Sequence, residues 1–467
     1  MVFSSTVFVF LFLPITVLVY AIIREELRNY WLLLASIVFY AWGEPKWVLL
    51  LGISTVVNYC SGLLLAKLQK PGRRRLVLTL NCVFNIGILF YFKYLTFSVS
   101  IVDRLLHTSL VAGSDWLRGI VMPIGISFFT FQIMSYVIDV YRGQVPAQRS
   151  IIKLALYIML FPQMIAGPIV RYIDVQKEIN SRSFTMDGLY TGARRFMVGF
   201  TKKIIISNRM AEIADLAFAQ ANPTSGMAWL GIVCYALQIF FDFSAYSDMA
   251  IGMGHMFGFH FLENFNYPYI ALSVQEFWRR WHISLSTWFR DYLYIPLGGN
   301  RKGTLRTYRN LLIVFFITGL WHGASWNFIV WGLFHGAFQL LERFKWYKAF
   351  LSHVPKPLRW LYAMLVVLVG WVLFRADDLP AALTYIQHMF SLRGFSLAEM
   401  LYTLRIERLA VLILGVIFST PIFRAVSARC ERGAKAVLLD CGIFACFAVA
   451  LLYMTGSSFN PFIYFRF

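Results

Sequence analysis

The sequence predicts an all-α integral membrane protein, a multi-span helical bundle. Of its 467 residues, 59% are hydrophobic and only 14% are charged, where an average soluble domain carries roughly 25% charge. Mean hydropathy is +0.64, and one or two soluble cores cannot hide that much apolar surface. The apolar residues fall in long continuous runs, unlike the short alternating segments of a membrane β-barrel. Disorder requires low hydrophobicity and is excluded. At about 20 apolar residues per crossing there is room for about 10–12 spans, with re-entrant and interfacial helices between them.

The first run, residues 6–22, has no basic residue before it and no clear cleavage site. It predicts a retained span and not a signal peptide. Arg24 and Arg28 follow, which predicts a periplasmic N-terminus and a cytoplasmic first loop. Further runs occupy residues 30–42, 47–65, 76–97, 120–140, 151–170, 229–243, 245–261, 311–320, 326–341, 358–374, 409–423 and 436–453. Alternating sides from an outside start puts the basic loop 67–75 in the cytoplasm, as its charge requires. Run 151–170 carries Pro162, Gly167 and Pro168 between basic flanks. That pattern predicts a segment entering and leaving on one side, tolerated only where protein or a water-filled cavity satisfies its backbone. With no internal repeat and no long linker, residues 1–467 read as a single membrane-embedded domain.

The chain holds 43 Lys and Arg against 23 Asp and Glu, a net charge of +20. The basic residues lie between apolar runs, so they predict positive-inside topology and contact with anionic lipid, not nucleic acid. The six cysteines form no CxxC pair and predict apolar packing, with no metal site. Two stretches are neither clean spans nor ordinary loops. Residues 171–220 mix basic side chains with Phe196, Met197, Phe200 and Ile204, as an interfacial helix does. Residues 275–309 carry Trp278, Trp281, Trp288, Tyr292 and Tyr294, which predicts aromatic anchoring at the headgroups.

His322 stands out among the candidates for chemistry because it lies between two apolar runs. An ionisable group near membrane depth faces a cavity or a partner. Gly319 and Gly323 are expected to open space around its imidazole, and Trp321 and Trp326 to wall a pocket. A core histidine bonded to a backbone carbonyl is the competing reading. His282, in the segment Trp278-Arg279-Arg280-Trp281-His282, is either functional or an interfacial residue with no task. His335, one turn from Trp331, predicts packing. Asp242 and Asp248 sit in an apolar helix and need partners, for which Arg279, Arg280 or Arg290 are candidates. The glycine-and-basic turn around Asn300 (residues 298–303) could hold a phosphate, but no strand precedes it.

Residues 123–132, 161–168, 241–248, 277–300 and 320–325, with 1–5 and 371–376, resemble the membrane-bound O-acyltransferases, in the bacterial branch that modifies exported polymers. The resemblance runs from end to end. It implies a helical bundle enclosing a tunnel in the bacterial inner membrane, with His322 and His282 at the family's two histidine positions. His322 is then the expected catalytic base. Trp278, Arg279, Arg280 and Asn300 are expected toward the donor, and Asp242, Asp248, Trp321 and Trp326 as tunnel or structural groups. The resemblance further implies acetyl-CoA or another cytoplasmic acyl thioester as donor, with no covalently bound cofactor. The acyl group, usually acetyl, would pass to an exported polysaccharide such as alginate or cellulose, with periplasmic or membrane-anchored acetyltransferases completing delivery. D-alanyl transfer to teichoic acid, peptidoglycan O-acetylation and non-enzymatic transport are the alternatives.

Overall fold

Helix is the only regular structure among the described residues, because lipid leaves a spanning backbone no other partner for its polar groups. The computed structural model describes residues 1–165, 167–391, 394–430, 433–456 and 463. Among the described residues, five helices are long and apolar enough to cross a membrane: Pro45–Lys67, Pro71–Leu106, Ser225–Met256, Lys356–Arg375 and Ala434–Gly456. Leu397–Phe418 and Ile422–Ala428, bent by 71°, make a sixth if counted as one span. The all-α membrane architecture stands, with fewer long uninterrupted spans than the apolar runs suggest.

Two runs merge and others break, each for a local reason. Residues 229–243 and 245–261 were expected as separate spans. Instead, a single helix runs from Ser225 to Met256, since no proline or glycine lies between Gly231 and Gly252. Run 120–140 becomes helical only at Ile126, after Pro123 and a left-handed Gly125. A side chain there would meet the Met164 carbonyl at 2.8 Å. Run 151–170 breaks as its prolines predict, into Ile151–Met159 and Phe161–Met164, with Leu160 leaving helical geometry between them.

The chain forms two compact units, residues 1–193 with 250–262, and residues 194–249 with 263–467. In the first, Phe3, Phe8, Phe39 and Phe161 build an aromatic core. The buried amides of Asn58, Asn81 and Asn85 satisfy one another between neighbouring helices, as polar groups in lipid must. In the second, Thr304–His322 and Trp326–Leu341 pack backbone to backbone. A side chain at Gly319 would lie 2.3 Å from the Phe328 carbonyl, and one at Gly332 would lie 2.3 Å from that of Phe315. Small residues allow this approach.

Two sequence expectations about surfaces are corrected here. The basic residues after Ala193 were expected to lie against lipid headgroups. Instead, Arg194 pairs with Asp440, Arg195 with Asp248 and Glu263, Lys202 with Asp248, and Lys203 with Asp242. The tryptophans of residues 275–309 were expected as interfacial anchors. Trp278, Trp281 and Trp288 are buried: Trp278, on the helix Val274–Arg280, packs on Trp331, and Trp281, just past its end, packs on Trp371, while Trp288, on the helix Ile283–Phe289, packs beside Phe289 and Tyr292.

Candidate functional site

The site is built where two helices end in the second unit. Thr304–His322 stops at His322 because Gly323 takes an extended conformation, and the chain re-enters helix at Trp326. Gly319 and Gly323 do not open room around the imidazole, as was expected. They admit Phe328, whose ring would lie 2.2 Å from a side chain at 323. The His322 ring is buried, with ring centroids of Trp321 at 4.8 Å, Trp331 at 5.1 Å and Phe374 at 5.1 Å.

His282 is the hinge between Val274–Arg280 and Ile283–Phe289, with φ 46° and ψ 55°. This left-handed conformation costs a non-glycine residue about 1–2 kcal/mol and persists only where surrounding bonds enforce it. The loop at Asn264 supplies them. Its carbonyl accepts the Ile283 N–H at 2.9 Å, and its side-chain Oδ1 accepts the Ser284 N–H at 3.2 Å. The His282 ring is 1% exposed, edge-on to Phe243 at 4.7 Å and to Trp321 at 6.1 Å.

Both histidines line one cavity of about 20 Å³, walled by Trp281, Trp331, Trp371, Phe374 and Ile463 among others. About 10–15 Å³ of this measure admits one water molecule. The cavity is the size of a small polar group, in an otherwise apolar and largely aromatic surround. Beside it a wider cleft of about 750 Å³ is bounded by Asp215, Tyr235, Ser325, Asn327, Arg375 and Asp377. Phe374 lines both spaces.

The other predicted residues divide. Trp321 stands against both histidines. Trp326 is 48% exposed and lines neither space; Trp331, five residues further along the same helix and so on another face, takes the wall. Trp278 packs on Phe315, Trp331 and His335, and His335 is a packed core residue as predicted. Arg279 is exposed. Arg280 is tied to Glu276 at 2.8 Å and to the Asn266 carbonyl at 3.0 Å. Asn300 is exposed on the glycine turn, whose carbonyls at 297 and 299 are held by Asn310.

The partners expected for Asp242 and Asp248 are replaced. Asp242 pairs with Lys203 at 2.6 Å and accepts the Ile463 N–H at 2.8 Å, while Asp248 pairs with Arg195 and Lys202. Arg290 pairs instead with its neighbour Asp291. Asn264, Lys203 and Phe374 are the residues the sequence did not single out. Asn264 and Lys203 sit among ordinary polar residues, and Phe374 looks like any other apolar residue of its helix.

A family model described as the membrane-bound O-acyltransferase family matches residues 119–379, which contain both histidines. The chain is 42% identical to a protein of Azotobacter vinelandii named probable alginate O-acetylase AlgI, over 100% of each chain. It is 48% identical to a protein of the same name from Pseudomonas aeruginosa, over 86% of this chain and 77% of that one. It is 37% identical to the peptidoglycan O-acetyltransferase of Helicobacter pylori, over 86% of this chain and 82% of that one. A helical membrane fold, a family match across more than half its length and full-length relatives establish that this chain belongs to the membrane-bound O-acyltransferase family.

Proposed function

We propose that this O-acyltransferase takes an acyl group, acetyl in the first instance, from a cytoplasmic thioester such as acetyl-CoA and passes it across the inner membrane for O-acetylation of an exported polysaccharide such as alginate. The observation that carries the site assignment is the shared cavity, with two buried histidines and room for one small polar group. The relatives' names support the acetyl group and the polymer.

His322 acts as the general base. A neutral imidazole accepts the proton of an attacking hydroxyl, a contribution of about 10²–10⁴-fold in rate. The hydroxyl oxygen bonds to the thioester carbonyl carbon, the C–S bond breaks, and the proton passes from His322 to the departing thiolate. The result is an ester and a free thiol. The aromatic surround keeps bulk water from competing for the acyl group. Arg279, exposed on its helix, is available for donor phosphates. Partner acetyltransferases on the periplasmic side, where the N-terminus also lies, complete delivery to the polymer.

The test supplies radiolabelled acetyl-CoA to inside-out vesicles and follows label into polymer. His322→Ala at normal abundance is expected to abolish transfer. Retained transfer overturns the assignment of the base, and label moving across unchanged without ester formation identifies a transporter.

A further inference from the structure

His282 is held by a contact that dictates which of its two nitrogens carries the proton. Its Nδ1 lies 3.2 Å from Asn264 Oδ1, and both side chains are about 1% exposed. An amide has an accepting end and a donating end, and here the ends are identified by the backbone. The Ser284 N–H, which can only donate, lies 3.2 Å from the same Asn264 atom. That atom is therefore the oxygen. The opposite end agrees, since Nδ2 donates to Ser247 Oγ at 3.2 Å. An oxygen facing Nδ1 accepts and cannot donate, so Nδ1 carries the hydrogen. In a neutral imidazole the other nitrogen, Nε2, then holds a bare lone pair.

Nε2 is buried and has no hydrogen-bond partner among the described residues. Its ring lines the cavity shared with His322. A buried acceptor left unmet is costly, and the strained backbone at His282 is the kind retained where position matters.

Resting on the acyltransferase reading, we infer that Asn264 is a positioning residue that locks His282 as its Nδ1–H tautomer, so that Nε2 receives an O–H or N–H donor from a reactant in the cavity. Two reactants carry such a group: the acceptor, through its hydroxyl, and the thioester, through the amides of its pantetheine arm. His282 is thus an acceptor-only group facing the reactants, and its contribution is orientation. The proton itself is taken by His322.

The tautomer is read directly by solid-state ¹⁵N NMR on histidine-labelled full-length protein in lipid bilayers, with the His282 signals assigned by their loss in His282→Gln. The expected spectrum has a protonated Nδ1 and an unprotonated Nε2. Asn264→Asp keeps an oxygen facing Nδ1 and is expected to keep this pattern. Asn264→Leu is expected to lose the preference and to lower transfer by on the order of 10²-fold. Transfer assays add an independent arm. A Gln at 282 carries its amide oxygen to the position of Nε2, whereas an Asn reaches only the position of Nδ1. His282→Gln is expected to retain at least about tenfold more transfer than His282→Asn. A raised KM for hydroxyl acceptor in His282→Asn identifies the hydroxyl as the group on Nε2, and a raised KM for thioester identifies the amide. A wild-type spectrum with the proton on Nε2, or equal transfer in His282→Gln and His282→Asn, overturns the proposal. Because the spectrum requires no turnover, this result is separable from failure of the acyltransferase reading, which the His322→Ala assay decides.

Discussion

The ring of Phe374 stands edge-on to the His322 imidazole, with centroids 5.1 Å apart at 78°. The same ring also lines the wider cleft of about 750 Å³. One side chain thus separates a water-sized space at the histidines from a cleft open enough for a larger group.

Removing that partition should uncouple the chemistry from its acceptor. Phe374→Ala is expected to let water reach the acyl group, so that free acetate rises relative to ester product. Phe374→Leu, which preserves more of the wall, should behave closer to wild type. Measuring acetate release from acetyl-CoA with and without acceptor checks this. An unchanged ratio in Phe374→Ala would show that the ring does not exclude water.

The ion pair between Lys203 and Asp242 is buried on both sides, with 4% and 1% side-chain exposure. Breaking such a pair from one side typically costs about 3–5 kcal/mol, whereas replacing both charges with apolar groups is often neutral. Lys203→Met is therefore expected to lower the thermal midpoint in detergent sharply, and Lys203→Met with Asp242→Leu to restore part of it. Asp242 also holds the Ile463 N–H, so recovery in the double variant should be incomplete.

Gly319 serves helix contact. Gly319→Ala places a methyl group against the Phe328 carbonyl, and overpacking of this kind costs about 1–3 kcal/mol. A lower melting temperature with displaced His322 and reduced transfer is the expected outcome. Melting and transfer both unchanged would mean that the two helices separate freely.

Arg279 and Arg280 should differ despite being neighbours. Arg279 is exposed, while Arg280 is tied to Glu276 and the Asn266 carbonyl, next to the loop that holds His282. Arg279→Ala is expected to raise the KM for acetyl-CoA and its sensitivity to salt. Arg280→Ala should lower stability and kcat instead. Thioester titrations at two ionic strengths, alongside melts, separate the two effects.

Residues 275–309 should face the cytoplasm, given Arg279, Arg280, Arg290, Arg301, Lys302, Arg306 and Arg309 against Glu276 and Asp291. Cysteines placed at 301 or 306 in a cysteine-free background should resist impermeant thiol reagents in intact cells. Ready labelling from outside would invert the topology.

Membrane residence, helical class and the prominence of His322 were all legible in the amino-acid order. Composition sets the solvent a chain must live in, lipid permits only backbone-satisfied structures, and an ionisable residue at the end of an apolar run announces itself. The break at Leu160 was legible too, because proline acts locally. What Gly319 does, which way Trp278 and Trp281 point, and who neutralises Asp242 were not. Each depends on a partner distant in sequence: the Ile463 N–H that Asp242 accepts is 221 positions away. A glycine beside a histidine looks like room for the ring until a second helix is seen to occupy that room. The proton on His282 is likewise invisible in sequence, since it depends on a single oxygen of Asn264, 18 residues away. Burial and hydrogen bonding are pairwise relations, and only the folded chain chooses the pairs.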